Sequence, residues 1–239
     1  MAVPAITFDV GNTLIKAHPS LGHIYADASA RQGITIAPAV AQERFIRAWR
    51  DTSETWDGLV YGRSHGDARR FWSVIVGRVF DGACSARQKA AVLDDLYERF
   101  SDPQCWRVDS HWPAVRQTCR SLGLAVALIS NWDLRLRTLL GRLGLLHHVD
   151  IAVISAESQI EKPDPRIFDH ALDAMDAAPE RSFHVGDTWK DDVVGAAGVG
   201  MHPVWLNPEG HPVPSSARQL PRYSAIRSLA ELPDVLARV

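Results

Sequence analysis

The chain has 239 residues, 46% hydrophobic and 23% charged, a balance that supports a buried core in one large domain or in a core with a smaller companion. A formal net charge of -2 gives no electrostatic case for nucleic acid or an anionic membrane as partner, and no apolar run approaches the roughly 20 residues of a bilayer span. Cys84, Cys105 and Cys119 form neither a disulfide framework nor a metal spacing, and the first strand leaves no room for a signal peptide, so the expected location is cytoplasmic.

The first predicted element is the strand AITFD, which ends on Asp9 and runs straight into Gly11, Asn12 and Thr13. From about residue 17 to residue 102 no strand pattern follows. LGHIYADASARQG, PAVAQERFIRAWRDT, DARRFWSVIVGRVF and ARQKAAVLDDLYERF read as helices instead. A connection this long exceeds a loop-plus-helix crossover, so it should form a separate helical subdomain inserted after strand one. Four more apolar runs come next: LAVALIS ending at Ser130, VDIAVIS ending at Ser155, RSFHVGD ending at Asp187 and MHPVWL ending at Leu206. AVALI and IAVI are continuous rather than alternating, as in strands covered on both faces. The helical stretches PAVRQTCRSLG, LRLRTLLGRLG, PRIFDHALDAM and DVVGAAGVG lie between the later runs, and SLAELPDVLARV closes the chain as an amphipathic helix. Strand and helix in alternation predict an α/β fold with a parallel sheet and crossover helices.

In such a sheet ligands bind at the carboxyl ends of the strands. Those ends carry Asp9 and Thr13, then Ser130 and Asn131, then Lys162 in EKPDPRIF, then Gly186, Asp187, Thr188, Asp191 and Asp192 in HVGDTWKDDVVGA. Each has a bland use. Asp9 suits an Asx turn, while Ser130, Asn131, Asp187 or Thr188 suits a helix cap. Lys162 suits a solvated position before Pro163, with Asp164 as N-cap and Pro165 in the first turn. Caps do not explain a lysine and two carboxylates converging with a hydroxyl at one edge.

The set resembles the haloacid dehalogenase superfamily, whose four motifs lie at these strand ends. FDVGNTL is similar to the first motif, LISN to the second, the Lys162–Pro163 pair to the third and VGDTWKDD to the fourth. SNWDLRL, KPDPRIF and the insert's Tyr61–Gly62 followed by His65 most resemble a subgroup of haloacid dehalogenase-like hydrolase domain-containing proteins. The resemblance implies a Rossmann-like parallel sheet core with helices on both faces, residues 1–16 and 103–239, and a helical cap, residues 17–102. The two would be hinged near residues 16–19 and 102–108.

The chemistry of the residues agrees with it. A carboxylate such as Asp9 can attack a phosphoryl centre and form an aspartyl-phosphate, splitting one hard displacement into two easier ones. A phosphate dianion repels Asp9 until a cation screens the pair, and Mg²⁺ suits an all-oxygen site supplied by Asp9 and Asp187. Lys162 adds a fixed positive charge for the phosphoryl oxygens and the nucleophile. The Thr13 and Ser130 side chains, with Asn131 beside them, can hold the remaining oxygens. Asp192, or Asp191, would orient a metal water or Lys162.

In the family's phosphatases the position of Gly11 usually holds a second aspartate. Its backbone carbonyl ligates Mg²⁺, and its side chain protonates the leaving group. Gly11 keeps the carbonyl and loses the acid, for which His18 is one replacement. The resemblance therefore implies a Mg²⁺-dependent phosphohydrolase acting on a small phosphorylated molecule, as a monomer or homodimer. Two alternatives stay open. A catalytically weak phospho-ligand binder would also lack the acid. So would a metal-independent 2-haloacid dehalogenase, although Gly186–Asp187 argues for a metal. Trp132, Trp189 and His184 read as packing residues, and Arg44, Arg47 and Arg50 as a solvated helix face.

Overall fold

The computed structural model describes residues 3–53, 55, 64–82, 84–215, 217, 220 and 222–237, so Tyr61 and Gly62 lie outside the described residues. The strands are β1 (Val3–Phe8), β2 (Ile15–Ala17), β3 (Trp106–Val108), β4 (Ala125–Ser130), β5 (Ile151–Ile154), β6 (Ala177–Gly186), β7 (His202–Leu206) and β8 (Ser224–Ile226). The helices are α1 (Leu21–Ala30), α2 (Pro38–Ser53), α3 (His65–Val79), α4 (Ala86–Arg99), α5 (Trp112–Ser121), α6 (Arg135–Arg142), α7 (Ser155–Ser158), α8 (Pro165–Ala174), α9 (Gly195–Gly198) and α10 (Leu232–Leu236). None is long and apolar enough to cross a membrane. The chain divides into two compact units. One holds Met1–Ile15, Val108–Asn131 and Leu143–Val239; the other holds Lys16–Arg107 and Trp132–Arg142.

The first unit is built on a six-stranded sheet in the order β5-β4-β1-β6-β7-β8, parallel at every pairing. All five predicted strands are in it. The continuous burial of Ala5 through Val10 shows why β1 reads as an unbroken apolar run. One face meets α5, where the Phe8 and Trp112 rings stand edge to face 5.2 Å apart. The other meets α8, whose Ile167, Phe168, Ala171 and Leu172 pack with Ala5, Ala127, Ile129 and Val153. Their three- and four-residue spacing is the apolar stripe of an amphipathic helix. Asp164 caps α8 by accepting from the Arg166 N–H, with Pro165 in the first turn.

Four features differ from expectation. The edge strand β8 and the two-stranded sheet of β2 and β3 are each only three residues long, too short to carry a period. DVVGAAGVG is not one helix: a π-helical turn over Trp189–Val194 precedes the short α9. The closing helix opens with a 3₁₀ turn over Leu229–Glu231, held by a Ser228–Glu231 capping box.

In the second unit α1 to α4 lie where the spacing of apolar residues places them. Ser20, Ser64 and Ser85 cap α1, α3 and α4, and Ser85 forms a capping box with Gln88. Arg44 donates to the Val79 carbonyl at 3.1 Å, while Arg47 pairs with Glu43 and Arg50 with Asp51. The Trp132 ring packs against Trp106 at 5.2 Å.

The stretch SNWDLRL contributes a buried ion pair to this unit. Arg135 forks onto Asp133 through Nε and Nη2 at 2.8 and 2.6 Å, and its Nη1 donates to the Tyr97 carbonyl at 2.7 Å. The guanidinium lies 3.7 Å from the Tyr97 ring centroid, and the Trp72 indole donates to Asp133 Oδ2 at 3.2 Å. Removing one partner of a buried pair strands the other, so Asp133→Ala should destabilise the protein by ~3–5 kcal/mol. Urea unfolding of the variant against wild type measures the loss.

Candidate active site

Asp9, Lys162, Asp187 and Asp192 meet at the carboxyl edge of the central strands of the first unit. β1 and β6 are neighbours, so Asp9 and Asp187, each one residue past its strand, lie side by side. One carboxylate oxygen from each of Asp9, Asp187 and Asp192 lies within 4.8 Å of the other two. The chain leaves β1 towards β4 and β5 on one side and returns to β6 on the other, the strand-order reversal where parallel sheets open a crevice.

Lys162 lies within this cluster. Its Nζ is 2.7 Å from Asp9 Oδ1 and 2.6 Å from Asp192 Oδ1, and the side chain is 2% exposed. The π-helical turn selects Asp192 over Asp191. Both the Asp192 and the Val193 N–H groups return to the Thr188 carbonyl, and the Thr188 N–H donates to Asp192 Oδ2 at 2.8 Å. Asp191 stays half-buried beside it. Gly186 is required here because a Cβ built on it would run into the Asp192 carboxyl.

Asn131 braces Lys162 from the second strand end. Its Nδ2 donates to the Lys162 carbonyl at 2.8 Å, and its Oδ1 accepts the Lys162 N–H at 2.7 Å. Two backbone bonds thus fix the point from which the lysine side chain starts. Ser130 is buried at the last position of β4. The Thr13 hydroxyl is fully buried and has no hydrogen-bond partner among the described residues. Gly11 sits in a tight loop where Leu14 and Ile15 both donate to the Val10 carbonyl. The left-handed residue of that loop is Asn12, at φ 56°, while Gly11 is not among the glycines with positive φ. His18 belongs to the other unit, its N–H bonded to the Cys105 carbonyl.

Charge is unbalanced in this cluster. Burial pushes the Asp9 carboxyl up to about 6, with Lys162 pulling it down and Asp192 adding repulsion. Burial and the charge of Asp9 push Asp187 up to about 7. Asp192 goes the other way: burial opposes its charge, but Lys162 and a bond from His184 hold it well below the usual carboxylate range. Burial alone would discharge Lys162; Asp192 and Asp9 outweigh it and keep the ammonium charged. Three carboxylates and one ammonium leave a deficit of two positive charges among hard oxygen donors. That donor set and that charge fit a divalent cation such as Mg²⁺.

Two residues of this edge have no role in the sequence reading. His184 is core, yet its Nε2 lies 3.0 Å from Asp192 Oδ1, and its Nδ1 lies 2.7 Å from the Thr7 hydroxyl. The two-residue period of a strand puts Thr7 on the face of Asp9, and His184 on the face of Gly186. That period is the signal by which both can be found. Trp189 packs between Trp205 and Tyr223, with ring centroids 4.9 and 5.2 Å away, and the Trp205 indole holds the Asp187 carbonyl at 3.0 Å.

Comparison with known proteins gives concordant families and divergent activities. A family model described as haloacid dehalogenase-like hydrolase matches residues 3–200. Human haloacid dehalogenase-like hydrolase domain-containing protein 3 is 35% identical over 242 residues, covering 95% of this chain and 96% of the human protein. A phosphoserine phosphatase of Thermus thermophilus is 46% identical over 90 residues, 37% of this chain and 36% of that one. The solved structure of a 2-haloacid dehalogenase from Pseudomonas syringae pv. Tomato is similar with a TM-score of 0.61 at 25% identity, covering 99% of both chains.

The charge deficit has a measurable sign. In metal-free protein Asp9 and Asp187 have raised folded-state pKa values. Their stabilising contribution is therefore present below the ordinary carboxylate range and lost as pH rises through about 6 and about 7. Protons and a divalent cation compete for the same oxygens. Mg²⁺ should therefore raise the unfolding temperature more at pH about 8 than at pH about 5. Scanning fluorimetry in EDTA and in Mg²⁺ reads the difference, which the double variant Asp9→Asn/Asp187→Asn should remove.

Proposed function

This chain belongs to the haloacid dehalogenase-like hydrolase family, and on that premise we propose that it is a Mg²⁺-dependent phosphohydrolase acting on a small phosphorylated molecule through an aspartyl-phosphate at Asp9. The observation that carries this reading is the buried cluster of Asp9, Asp187 and Asp192 around Lys162, with its deficit of two positive charges. A site meant for carboxylate attack on carbon has no use for that deficit. One meant for a phosphate dianion needs it filled.

In this proposal the Asp9 and Asp187 carboxylates and the Gly11 carbonyl hold Mg²⁺. What the ion supplies when bound is the positive charge that lets an anionic nucleophile approach an anionic phosphate. Asp9 Oδ attacks phosphorus, the bond to the leaving oxygen breaks, and an acyl phosphate on Asp9 remains. Lys162 Nζ, held by Asp192, offsets charge on the nucleophile and on the phosphoryl oxygens. The unpartnered Thr13 hydroxyl and the buried Ser130 are donors for those oxygens. Water then attacks phosphorus, releases inorganic phosphate and restores the Asp9 carboxylate. Asn131 acts on Lys162 through its two backbone bonds rather than on the substrate.

No group of the chain's first motif can protonate the leaving oxygen, since Gly11 has no side chain and Asn12 no acidic proton. This favours substrates whose leaving group departs without a proton, such as aryl or acyl phosphates. It also favours a second reading, a phospho-ligand binder with very slow turnover.

EDTA-treated protein should be inert and Mg²⁺ should restore hydrolysis of p-nitrophenyl phosphate; Asp9→Asn, which keeps size and removes the nucleophilic charge, should abolish it. Chloride release from 2-chloropropionate in EDTA, without phosphatase activity, would replace this reading with a dehalogenase.

Rate should also fall steeply as the leaving group becomes more basic. Gly11→Asp should help alkyl phosphates most, by up to about 10²–10⁴-fold, and Gly11 is not in the left-handed region that would strain a side chain there. A series of aryl and alkyl phosphates of graded leaving-group pKa, run on both proteins, measures the two slopes. A flat wild-type slope with chemistry rate-limiting would mean that another residue supplies the proton.

A further inference from the structure

Behind Lys162 a buried chain of polar groups continues away from the reacting edge. Thr7 on β1 and His184 on β6 are paired in register across the two central strands, and both are buried. The imidazole packs against Phe168, the two rings perpendicular with centroids 5.1 Å apart, and a Cβ on Gly195 would press into that phenyl ring. The ring therefore has little freedom to turn. Its Nε2 is 3.0 Å from Asp192 Oδ1, the same oxygen that takes Lys162 Nζ at 2.6 Å.

The donors and acceptors of this chain can be assigned by elimination. Asp192 is ionised and only accepts, so Nε2 must carry the proton of that bond. Burial pulls the pKa of His184 down, which favours a neutral ring with a bare Nδ1. Thr7 has one hydroxyl proton. The Thr7 oxygen is 2.7 Å from Nδ1 and 3.3 Å from the Phe183 carbonyl, so the proton goes to the nearer acceptor. The Thr7 hydroxyl thus fills the bare Nδ1 of the tautomer that Asp192 sets, and that tautomer puts a second side-chain donor beside Lys162 on Asp192 Oδ1.

We propose that His184 is a positioning residue, held in its Nε2–H tautomer between Asp192 and Thr7, which fixes Asp192 Oδ1 so that Lys162 is delivered to Asp9. The catalytic part of this rests on Asp9 and Lys162 acting as proposed above; the tautomer and the placement of Asp192 do not. Without the imidazole N–H, the Asp192 carboxylate keeps Lys162 on Oδ1 and the Thr188 N–H on Oδ2 but loses the second donor on Oδ1. It can then turn about those contacts, and the ammonium that follows it is drawn off its line to Asp9.

Three measurements test this. Long-range ¹H–¹⁵N spectra of wild-type protein labelled at histidine should show His184 neutral and protonated at Nε2 alone; in Thr7→Val the Nε2–H should stay while Nδ1, having lost its donor, moves downfield. A proton on Nδ1 in wild type, or an unchanged Nδ1 shift in Thr7→Val, would overturn the assignment. A crystal structure of His184→Leu should show the Asp192 carboxyl turned and Lys162 Nζ drawn off Asp9, and an unmoved carboxylate would overturn the positioning role. With p-nitrophenyl phosphate, His184→Leu should lower kcat by about 10–100-fold with KM little changed. His184→Gln, which restores an N–H near the Nε2 position, should recover most of that loss. Equal losses in both variants would make His184 a packing residue only. If wild type does not turn over p-nitrophenyl phosphate, the phosphohydrolase reading fails, and the spectra and the crystal structure still decide this one.

Discussion

A lysine ammonium buried to 2% exposure is the constraint around which this site is arranged. Such a charge is tolerated only where carboxylates meet it closely, and Lys162 meets two at 2.7 and 2.6 Å. Each neighbouring feature serves that contact. Asn131 fixes the lysine backbone, and Asp164 with Pro165 starts α8 directly after it. The π-helical turn carries Asp192 back beneath the strand end, and the bare Cα of Gly186 leaves the room that its carboxyl occupies. Because one ammonium faces three carboxylates, the arrangement remains incomplete in charge. In the proposed reading a divalent ion would fill that deficit before a phosphate can approach.

Much of this was legible in the sequence for physical reasons. β1, β4 and β5 are buried on both faces and so read as unbroken apolar runs. The four insert helices carry their apolar residues at helical spacing. Lys162, Asp9 and Asp187 were legible because their residue types are hard to explain together as caps. The unread parts have causes too. Three-residue strands such as β8 show no period. Whether Asp191 or Asp192 faces inward depends on a turn one residue wider than an α-helix, which residue spacing does not encode. His184 looks apolar by context, since a buried histidine differs from a buried phenylalanine only through its partners. Asn131 faces the backbone of a residue 31 positions away, a pairing that only the folded strand order creates.

The relatives help define what the fold leaves open. A phosphatase and a dehalogenase both resemble this chain, so the shared sheet and its crevice do not select between phosphorus and carbon as the centre attacked. The charge count is the ground on which we propose phosphorus. Attack on a neutral carbon bearing halide asks only for a nucleophile and a cradle for the departing anion. Attack on a phosphate dianion asks for compensation first, and the raised Asp9 and Asp187 carboxyls register its need.

The division of the chain into two units has a consequence for modularity. The backbone passes from one unit to the other at 15/16, 107/108, 131/132 and 142/143, so the helical unit is assembled from two separate stretches. Arg135, from the second stretch, holds the Tyr97 carbonyl of α4, and Asp133 receives the Trp72 indole of α3. Transplanting residues 16–107 alone into a relative would leave the donor's aromatic and carbonyl partners facing a foreign segment. A working chimera would need to carry 132–142 along, and its second splice would fall on the peptide bond next to Asn131. Recombination between members of this family is therefore expected to succeed in pairs of segments, with the residue that braces Lys162 sitting at the seam.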